Sequence, residues 1–136
     1  MTTNTKNGED FSPKLYRLID ANLNRLREGI RVIEDIQRYI YDNKELSKRL
    51  KNLRHKARVN DEKKLLQYRD IIGDVLKEST SSELKRENLN SIITANIKRA
   101  EESSRVLEES LKLIDAQKAE TFKHIRYELY DIEKSL

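Results

Sequence analysis

The sequence has no cysteine, only three glycines and a single proline among its 136 residues. Without cysteine there are no disulfides, thiolate zinc sites or cysteine nucleophiles, and a cytoplasmic location is favoured. The scarcity of glycine and proline leaves little material for the tight turns of an all-β fold. The composition therefore favours helices joined by short connections.

Long apolar segments are missing as well. No run approaches the roughly 18 apolar residues that a membrane-crossing helix needs, so no membrane partner is expected. The first ten residues are polar and lack the apolar core of a signal peptide. We expect residues 1–11 to form a disordered lead-in and residues 12–136 to form one helical domain, a size that suits a single core.

Charged residues are abundant but nearly balanced in sign. They make up 38% of the chain, with 28 basic and 24 acidic side chains and a net charge of +4. High charge with few apolar residues can indicate disorder, but here the apolar residues are periodic, which is typical of amphipathic helices. The mixed charge permits an anionic ligand without requiring nucleic acid.

Capping signals predict an all-α antiparallel bundle of five or six helices, two of them long. Ser12-Pro13 is a typical helix start, and Asn43 and Asp115 are suited to cap the second and the last helix. A glycine at position 73 predicts a short helix or a kink at 69–75, and a loop is predicted at 78–82. The predicted helices cover about 13–41, 44–58, 62–68, 83 or 89 to 113, and 116–134.

The two long helices carry the same motif, Ala-Asn-x-x-Arg-x-x-Glu-x-x-Arg-Val-x-Glu, at 21–34 and 95–108. All seven specified residues are identical between the copies. A match that includes Asn and Arg is harder to obtain by chance than one in Leu, Lys and Glu. We therefore interpret the two segments as an internal duplication.

Each copy presents two faces, because successive helical residues turn by about 100°. One face is an apolar stripe formed by Ile19, Leu23, Leu26, Ile30 and Ile33, and by Ile93, Ile97, Ala100 and Leu107 in the second copy. The other face mixes small residues with Asn, Arg and Glu, which predicts a partly buried polar surface whose charges are paired or used. Ordinary surface Arg–Glu pairs, worth about 0.2–0.5 kcal/mol, are the alternative interpretation.

Further candidate residues lie outside the two copies. Asp70 and Asp74 would point the same way on a helix and could hold Mg²⁺, although Asp74 could instead cap a helix. Arg126 and Tyr130 share a face and could donate to a phosphate, or could simply stack on the surface. Basic residues at 52–58 predict a solvated face or a phosphate-steering patch. Because glycine-rich phosphate loops are absent, helix-borne arginines would have to bind any nucleotide.

Together these motifs resemble a small helical family of thiamine biosynthesis, the hydroxymethylpyrimidine-phosphate kinases, whose domain is often fused ahead of thiamine-phosphate synthase. The resemblance spans about Leu15 to Glu133. Leu76 and Ser104 depart from the family pattern, which has glycine and a bulky apolar residue there. Four motifs carry the resemblance. The first is 17–35, which includes Arg17 and Asp20, and the second is Arg69-Asp70-x-x-x-Asp74-Val75. The third is 95–109, and the fourth is Phe122-Lys123-x-x-Arg126-Tyr127-x-Leu129-Tyr130-x-x-Glu133.

The resemblance implies transfer of the γ-phosphate of ATP to hydroxymethylpyrimidine phosphate, with Mg²⁺, giving the diphosphate. Such chemistry rests mainly on positioning and charge neutralisation. The implied catalytic residues are Arg25, Arg99, Glu28 and Glu102. The implied substrate-binding residues are Asn22, Asn96, Arg31, Arg105, Arg126 and Tyr130. The implied metal ligands are Asp70 and Asp74.

Two other functions remain open. A non-catalytic module that docks on thiamine-phosphate synthase would place the Asn/Arg/Glu faces at a protein interface. An RNA-binding bundle is disfavoured, because such proteins need a clustered basic surface. A homodimer also remains open. The chain is shorter than the β/α barrel of about 250 residues, or somewhat fewer, that synthase chemistry would need.

Overall fold

The computed structural model describes residues 5–6, 9–10 and 12–136, and the all-α prediction is confirmed. No helix in this described part of the chain is long and apolar enough to cross a membrane. A short antiparallel pair, β1 (Thr5–Lys6) and β2 (Glu9–Asp10), precedes the bundle, and the rest of the predicted lead-in lies outside the described residues. The five helices are α1 (Ser12–Tyr39), α2 (Lys44–Lys56), α3 (Glu62–Gln67), α4 (Leu89–Leu111) and α5 (Ala116–Glu133).

Side-chain caps fix three of the helix starts. Asn43 accepts a hydrogen bond from the Leu46 amide at 3.0 Å, and Asp115 accepts one from Lys118 at 3.2 Å, as predicted. Asn88 caps α4 by accepting from the Ser91 amide at 2.9 Å. The later of the two predicted starts for this helix is therefore correct.

The connection between α3 and α4 is much longer than the predicted loop. The short helix or kink predicted at 69–75 does not form a helix, and the irregular segment runs from 68 to 88. Asp70 Oδ1 accepts from the Gly73 amide at 2.8 Å, and Asp74 Oδ1 accepts from the Leu76 amide at 3.0 Å. Such local side-chain bonds compete with helix formation, so the two carboxylates do not lie along one helix face.

The core lies where the two long helices pack together. Helix α1 packs against α4, α2 packs on α1, and α5 packs on α4. The beginning of α1 lies beside the end of α4, since Ile19 and Leu111 line a common cavity, so the long helices are antiparallel. A Cβ at Gly29 would lie 3.1 Å from the Asn96 carbonyl oxygen, so glycine allows a close approach there. Every residue of the predicted apolar stripe on both helices is buried.

The duplication extends to the helix that follows each long helix. Glu34 on α1 is buried and binds Arg54 of α2 at 2.8 and 3.3 Å. Its equivalent, Glu108 on α4, is buried and binds Arg126 of α5 at 3.0 and 3.2 Å. The fold is therefore a duplicated helical hairpin. Arg54 belongs to one of these internal pairs, and it is not part of a solvated basic face as predicted for 52–58.

Candidate functional site

Residues of both motif copies line one cavity of about 530 Å³ at the α1–α4 contact, here called the helix cavity. Asn22 and Arg25 come from α1, and Arg99 and Glu102 come from α4. The remaining lining residues are Ala95, Lys98, Ser103 and Val106. Antiparallel packing of the duplicated helices brings these equivalent polar faces together.

The two motif asparagines are held in the same way but have different surroundings. Asn22 Nδ2 donates to the Leu18 carbonyl at 3.0 Å, and Asn96 Nδ2 donates to the Ile92 carbonyl at 2.9 Å, which is the equivalent bond. Asn22 is buried and lines the helix cavity. Asn96 does not line it, and its backbone carbonyl packs against Gly29 instead.

Within each motif copy, the first arginine has no partner and the second has one. Arg25 and Arg99 are exposed and form no ion pair or hydrogen bond with any described residue. Arg31 binds Asp35 at 3.2 Å, and its equivalent Arg105 binds Glu108 at 3.1 Å. Two cations that form no ion pair or hydrogen bond with a described residue beside one cavity favour an anionic ligand there. Arg99 has a weaker interaction with Glu83, whose pKa is lowered by hydrogen bonds from Thr80 and then by the charge of Arg99.

A second cavity of about 520 Å³ adjoins the first and shares Asn22 and Arg25 with it. It is here called the loop cavity, because residues of the 68–88 segment form one side of it. Its polar and charged lining residues, besides the two shared ones, are Lys14, Arg17, Asp20, Asn24, Arg69, Asp70, Asp74 and Lys77.

An ion pair between an exposed arginine and a buried aspartate attaches this loop to α1. Arg69 binds Asp20 through Nε at 2.7 Å and through Nη2 at 2.8 Å, and Asp20 is buried. The hydrogen bonds to Asp20 raise the pKa of Arg69 above its usual value. Arg17 adds a bond of 3.1 Å to the Asp70 carbonyl. These contacts hold Asp70 and Asp74 beside the first motif copy.

The donor set of the loop cavity suits a hard cation that arrives with a phosphate ligand. One oxygen of Asp70 and one of Asp74 accept amide hydrogens, and the second oxygen of each makes no hydrogen bond to a described residue. The residues that the structure describes contain no cluster of three or more potential metal ligands. Mg²⁺ is commonly held by one or two carboxylates together with substrate phosphates and water, and these two residues fit that pattern.

The other predicted residues lie elsewhere. Arg105 and Arg126 line a separate cavity of about 420 Å³ between α4 and α5. Arg126 binds Glu108 and donates to the Tyr130 hydroxyl at 3.4 Å. Arg31 and Glu28 line neither the helix cavity nor the loop cavity. The structure thus places some of the predicted site residues at the two adjoining cavities and the others outside them.

Sequence reasoning missed the cations that complete the site. Lys14 and Lys77 line the loop cavity, and no motif spacing marks them. Lys98 lines the helix cavity and belongs to the motif at 95–109, but no role was predicted for it. Arg69 and Asp20 did belong to the motifs that carried the resemblance. Their pairing across 49 residues of chain was not visible in any local pattern.

The model of the ThiD2 family matches residues 17–135, which is nearly the whole chain. The chain belongs to the ThiD2 family. The matched region includes α1 from Arg17 onward, the 68–88 segment, α4 and all of α5, so every residue of the two adjoining cavities except Lys14 lies inside it.

Relatives of this ThiD2-family chain are named thiamine-phosphate synthase. The one from Nostoc punctiforme is 38% identical over 129 residues, covering 94% of this chain and 37% of the relative. The one from Prochlorococcus marinus is 36% identical over 137 residues, covering 100% and 38%. The one from Rhodopirellula baltica is 37% identical over 124 residues, covering 88% and 33%.

The chain therefore spans little more than a third of the length of these curated relatives. Their names agree with the thiamine biosynthesis context that the motifs predicted. No solved structure matches the chain.

Proposed function

We propose that this ThiD2-family chain transfers the γ-phosphoryl group of ATP to hydroxymethylpyrimidine phosphate in thiamine biosynthesis. A phosphate oxygen of the acceptor bonds to the γ-phosphorus, the γ-phosphorus–oxygen bond to the β-phosphate breaks, and the products are the diphosphate and ADP. The supporting observation is that the helix cavity and the loop cavity adjoin at Arg25, an arginine without a protein partner. A transfer between two phosphorylated ligands needs two neighbouring sites with positive charge where they meet. Both cavities are of a size that suits small ligands.

The proposed roles follow from side-chain chemistry. Arg25 and Arg99 bind phosphate oxygens, which guanidinium groups contact in bidentate fashion. Asn22 and Glu102 contact the polar edge of the aminopyrimidine, because amide and carboxylate oxygens accept from its amino group. Mg²⁺ held with the nucleotide by Asp70 and Asp74 would neutralise charge on the phosphate oxygens. The protein mainly positions both substrates and stabilises the charge of the transition state.

The test is to incubate the purified chain with ATP, Mg²⁺ and hydroxymethylpyrimidine phosphate and to measure formation of the diphosphate. We expect turnover by the wild type and a fall in kcat of about 10²–10³-fold in Arg99→Ala, typical of losing one donor to the transition state. Lys51→Ala, on the exposed surface of α2 and outside both cavities, is the matched control and should retain full activity.

Two results would contradict this proposal at different levels. If the wild type forms no diphosphate and neither ligand raises its melting temperature, the kinase function is wrong. If Arg99→Ala keeps full activity, the function survives but the assignment of the helix cavity does not.

A second candidate function is a partner module of thiamine-phosphate synthase. It is favoured by exposed apolar side chains in the 68–88 segment, where Ile72 is 83%, Val75 is 93% and Leu76 is 85% exposed. Apolar groups this exposed are typical of a surface that another protein covers. Co-elution with a synthase, lost in Val75→Glu and kept in Lys51→Ala, would support this role.

A further inference from the structure

We propose, resting on the kinase function above, that the two cavities divide the substrates between them. The loop cavity binds the nucleoside triphosphate, the helix cavity binds the phosphorylated pyrimidine, and Arg25 contacts the phosphoryl group that moves. The two cavities differ in the charges of their lining residues and share two residues, Asn22 and Arg25.

The loop cavity has the charge pattern of a site for a metal-bound polyphosphate. Asp20 neutralises Arg69, so the cations left to meet a ligand are Lys14, Arg17 and Lys77, together with the shared Arg25. Lys14 and Lys77 form no ion pair with any residue that the structure describes. The same cavity has Asp70 and Asp74 on its loop side, whereas no aspartate lines the helix cavity. Of the two cavities, the loop cavity therefore combines more free cations for phosphates with a pair of aspartates for a divalent ion, whereas the helix cavity has the single carboxylate of Glu102.

The helix cavity has less free positive charge and more groups suited to a ring. Lys98 is held by Glu133 at 2.9 Å, so Arg99 is the main cation that the helix cavity does not share. Ala95 and Val106 offer apolar surface to a ring, and Glu102 with Asn22 offers acceptors to an amino substituent. This combination fits a phosphate monoester attached to a polar aromatic ring.

Among the residues that the structure describes, Arg25 is the only charged one that lines both cavities. A phosphoryl group that moves between two ligands must lie where the ligands meet, so the shared guanidinium is placed to contact it. An Arg25 variant should therefore lower kcat more than it weakens the binding of either substrate alone. Variants in one cavity should weaken mainly the ligand of that cavity.

Calorimetry with single ligands tests this division without requiring turnover. The probes are a non-hydrolysable ATP analogue with Mg²⁺ and, separately, hydroxymethylpyrimidine phosphate. Lys14→Gln/Lys77→Gln should weaken the analogue about tenfold or more and the pyrimidine phosphate less than about twofold. Arg99→Gln should do the reverse, and Lys51→Gln should change neither. In the separate assay of diphosphate formation, Arg25→Gln should lower kcat about 100-fold or more, whereas calorimetry should show a smaller change in each Kd.

The division is wrong if the effects are exchanged, or if each variant weakens both ligands equally, even when the wild type turns over. Failure of the kinase function itself gives a different result, because the wild type then forms no diphosphate. All substituted side chains are exposed and lack internal ion pairs, and unchanged melting temperatures of the variants will verify that they fold.

Discussion

At the scale of single residues, Glu101 is a buried carboxyl group with an unusual proton affinity. It is 5% exposed, and its Oε2 has no hydrogen-bond partner in the described part of the chain. Burial raises the pKa of Glu101 to about 7, and a hydrogen bond to Glu133 adds to the effect. Lys98, which lines the helix cavity, lies 3.6 Å from this carboxyl group and therefore connects it to the site.

The raised pKa of Glu101 predicts a stability that falls as the pH increases. Between about pH 4.5 and 7 the folded chain keeps a proton that the unfolded chain has released. This contribution is complete below pH 4.5 and is lost as the pH rises through about 7. We expect the melting temperature of the wild type to decrease by a few degrees from pH 5 to pH 8, and that of Glu101→Gln to change less.

The control for this experiment is Glu87→Gln, an exposed glutamate at the end of the loop, which should follow the wild type. Glu133 has the opposite behaviour, because hydrogen bonds from Glu101 and Lys98 lower its pKa. Its stabilising contribution is present above its ordinary pKa and is lost only as the pH falls through its lowered pKa. If the melting temperatures of the wild type and Glu101→Gln changed with pH in parallel, the raised pKa of Glu101 would be contradicted.

At the scale of elements, the contact between α1 and α4 determines the shape of the helix cavity. Gly29 faces Asn96 and Ala100, and an added Cβ would lie 3.1 Å from a backbone oxygen that cannot rotate away. Gly29→Ala gains about 1 kcal/mol in helix propensity but forces the two helices apart. We expect a net loss of about 0.5–2 kcal/mol in denaturant unfolding, together with a lower kcat.

Thr94→Ala, at an exposed position of α4, is the matched alanine control and should be neutral or slightly stabilising. A Gly29→Ala variant that is both more stable than the wild type and fully active would show that the close approach has no role in the site.

The loop offers a second test at this scale. A Cβ at Gly73 would clash with the carboxylate of Asp70, which caps the Gly73 amide. Gly73→Ala should displace this carboxylate, weaken Mg²⁺–nucleotide binding several-fold and leave the melting temperature within about two degrees, because the segment is exposed. Unchanged nucleotide affinity, measured by calorimetry, would remove Asp70 from the proposed site.

The sequence predicted the elements that depend on local signals and missed those that depend on distant ones. Asn43 and Asp115 cap the amides three residues ahead, so their helices began where expected. The packing of the apolar stripe was predicted for the same reason. The position of the 68–88 segment was not predicted, because it depends on the pairing of Arg69 with Asp20, a residue far away in the chain.

At the scale of the whole molecule, the sequence again predicted local features of the candidate site but not those that depend on contacts between distant elements. The duplication identified candidate residues, and four of them, Asn22, Arg25, Arg99 and Glu102, line one cavity. The sequence could not show that Arg105 and Arg126 face a different cavity, because that depends on how α5 packs on α4. Nor could it show that Glu34 and Glu108 bind equivalent arginines on the following helices.

The duplicated architecture predicts how the intact molecule responds to a cut between its halves. Residues Lys85 and Arg86 are exposed in the irregular segment, where proteases act most readily. Trypsin at low ratio should cleave there first, and the two pieces should co-elute in size-exclusion chromatography and still bind ligand. The reason is that α1 and α4 share the buried core, so the connection is not needed to hold them together. Dissociation of the pieces, or earlier cleavage within α1 or α4, would contradict this.

The antiparallel pairing of equivalent helices also has an evolutionary consequence. Gly29 on α1 packs on Asn96, and Asn22 lines the same cavity as Ser103, the counterpart of Gly29, so equivalent positions lie on opposite sides of the α1–α4 contact, as a rotation of half a turn would place them. A hairpin of half this length could have built the same groove by dimerising on a dyad. Such an ancestor would have had two identical half-sites and treated both ligands alike. We propose that fusion of two such copies would have freed each to diverge, and that the connecting loop, which lines one of the two cavities, would have altered one side of the groove.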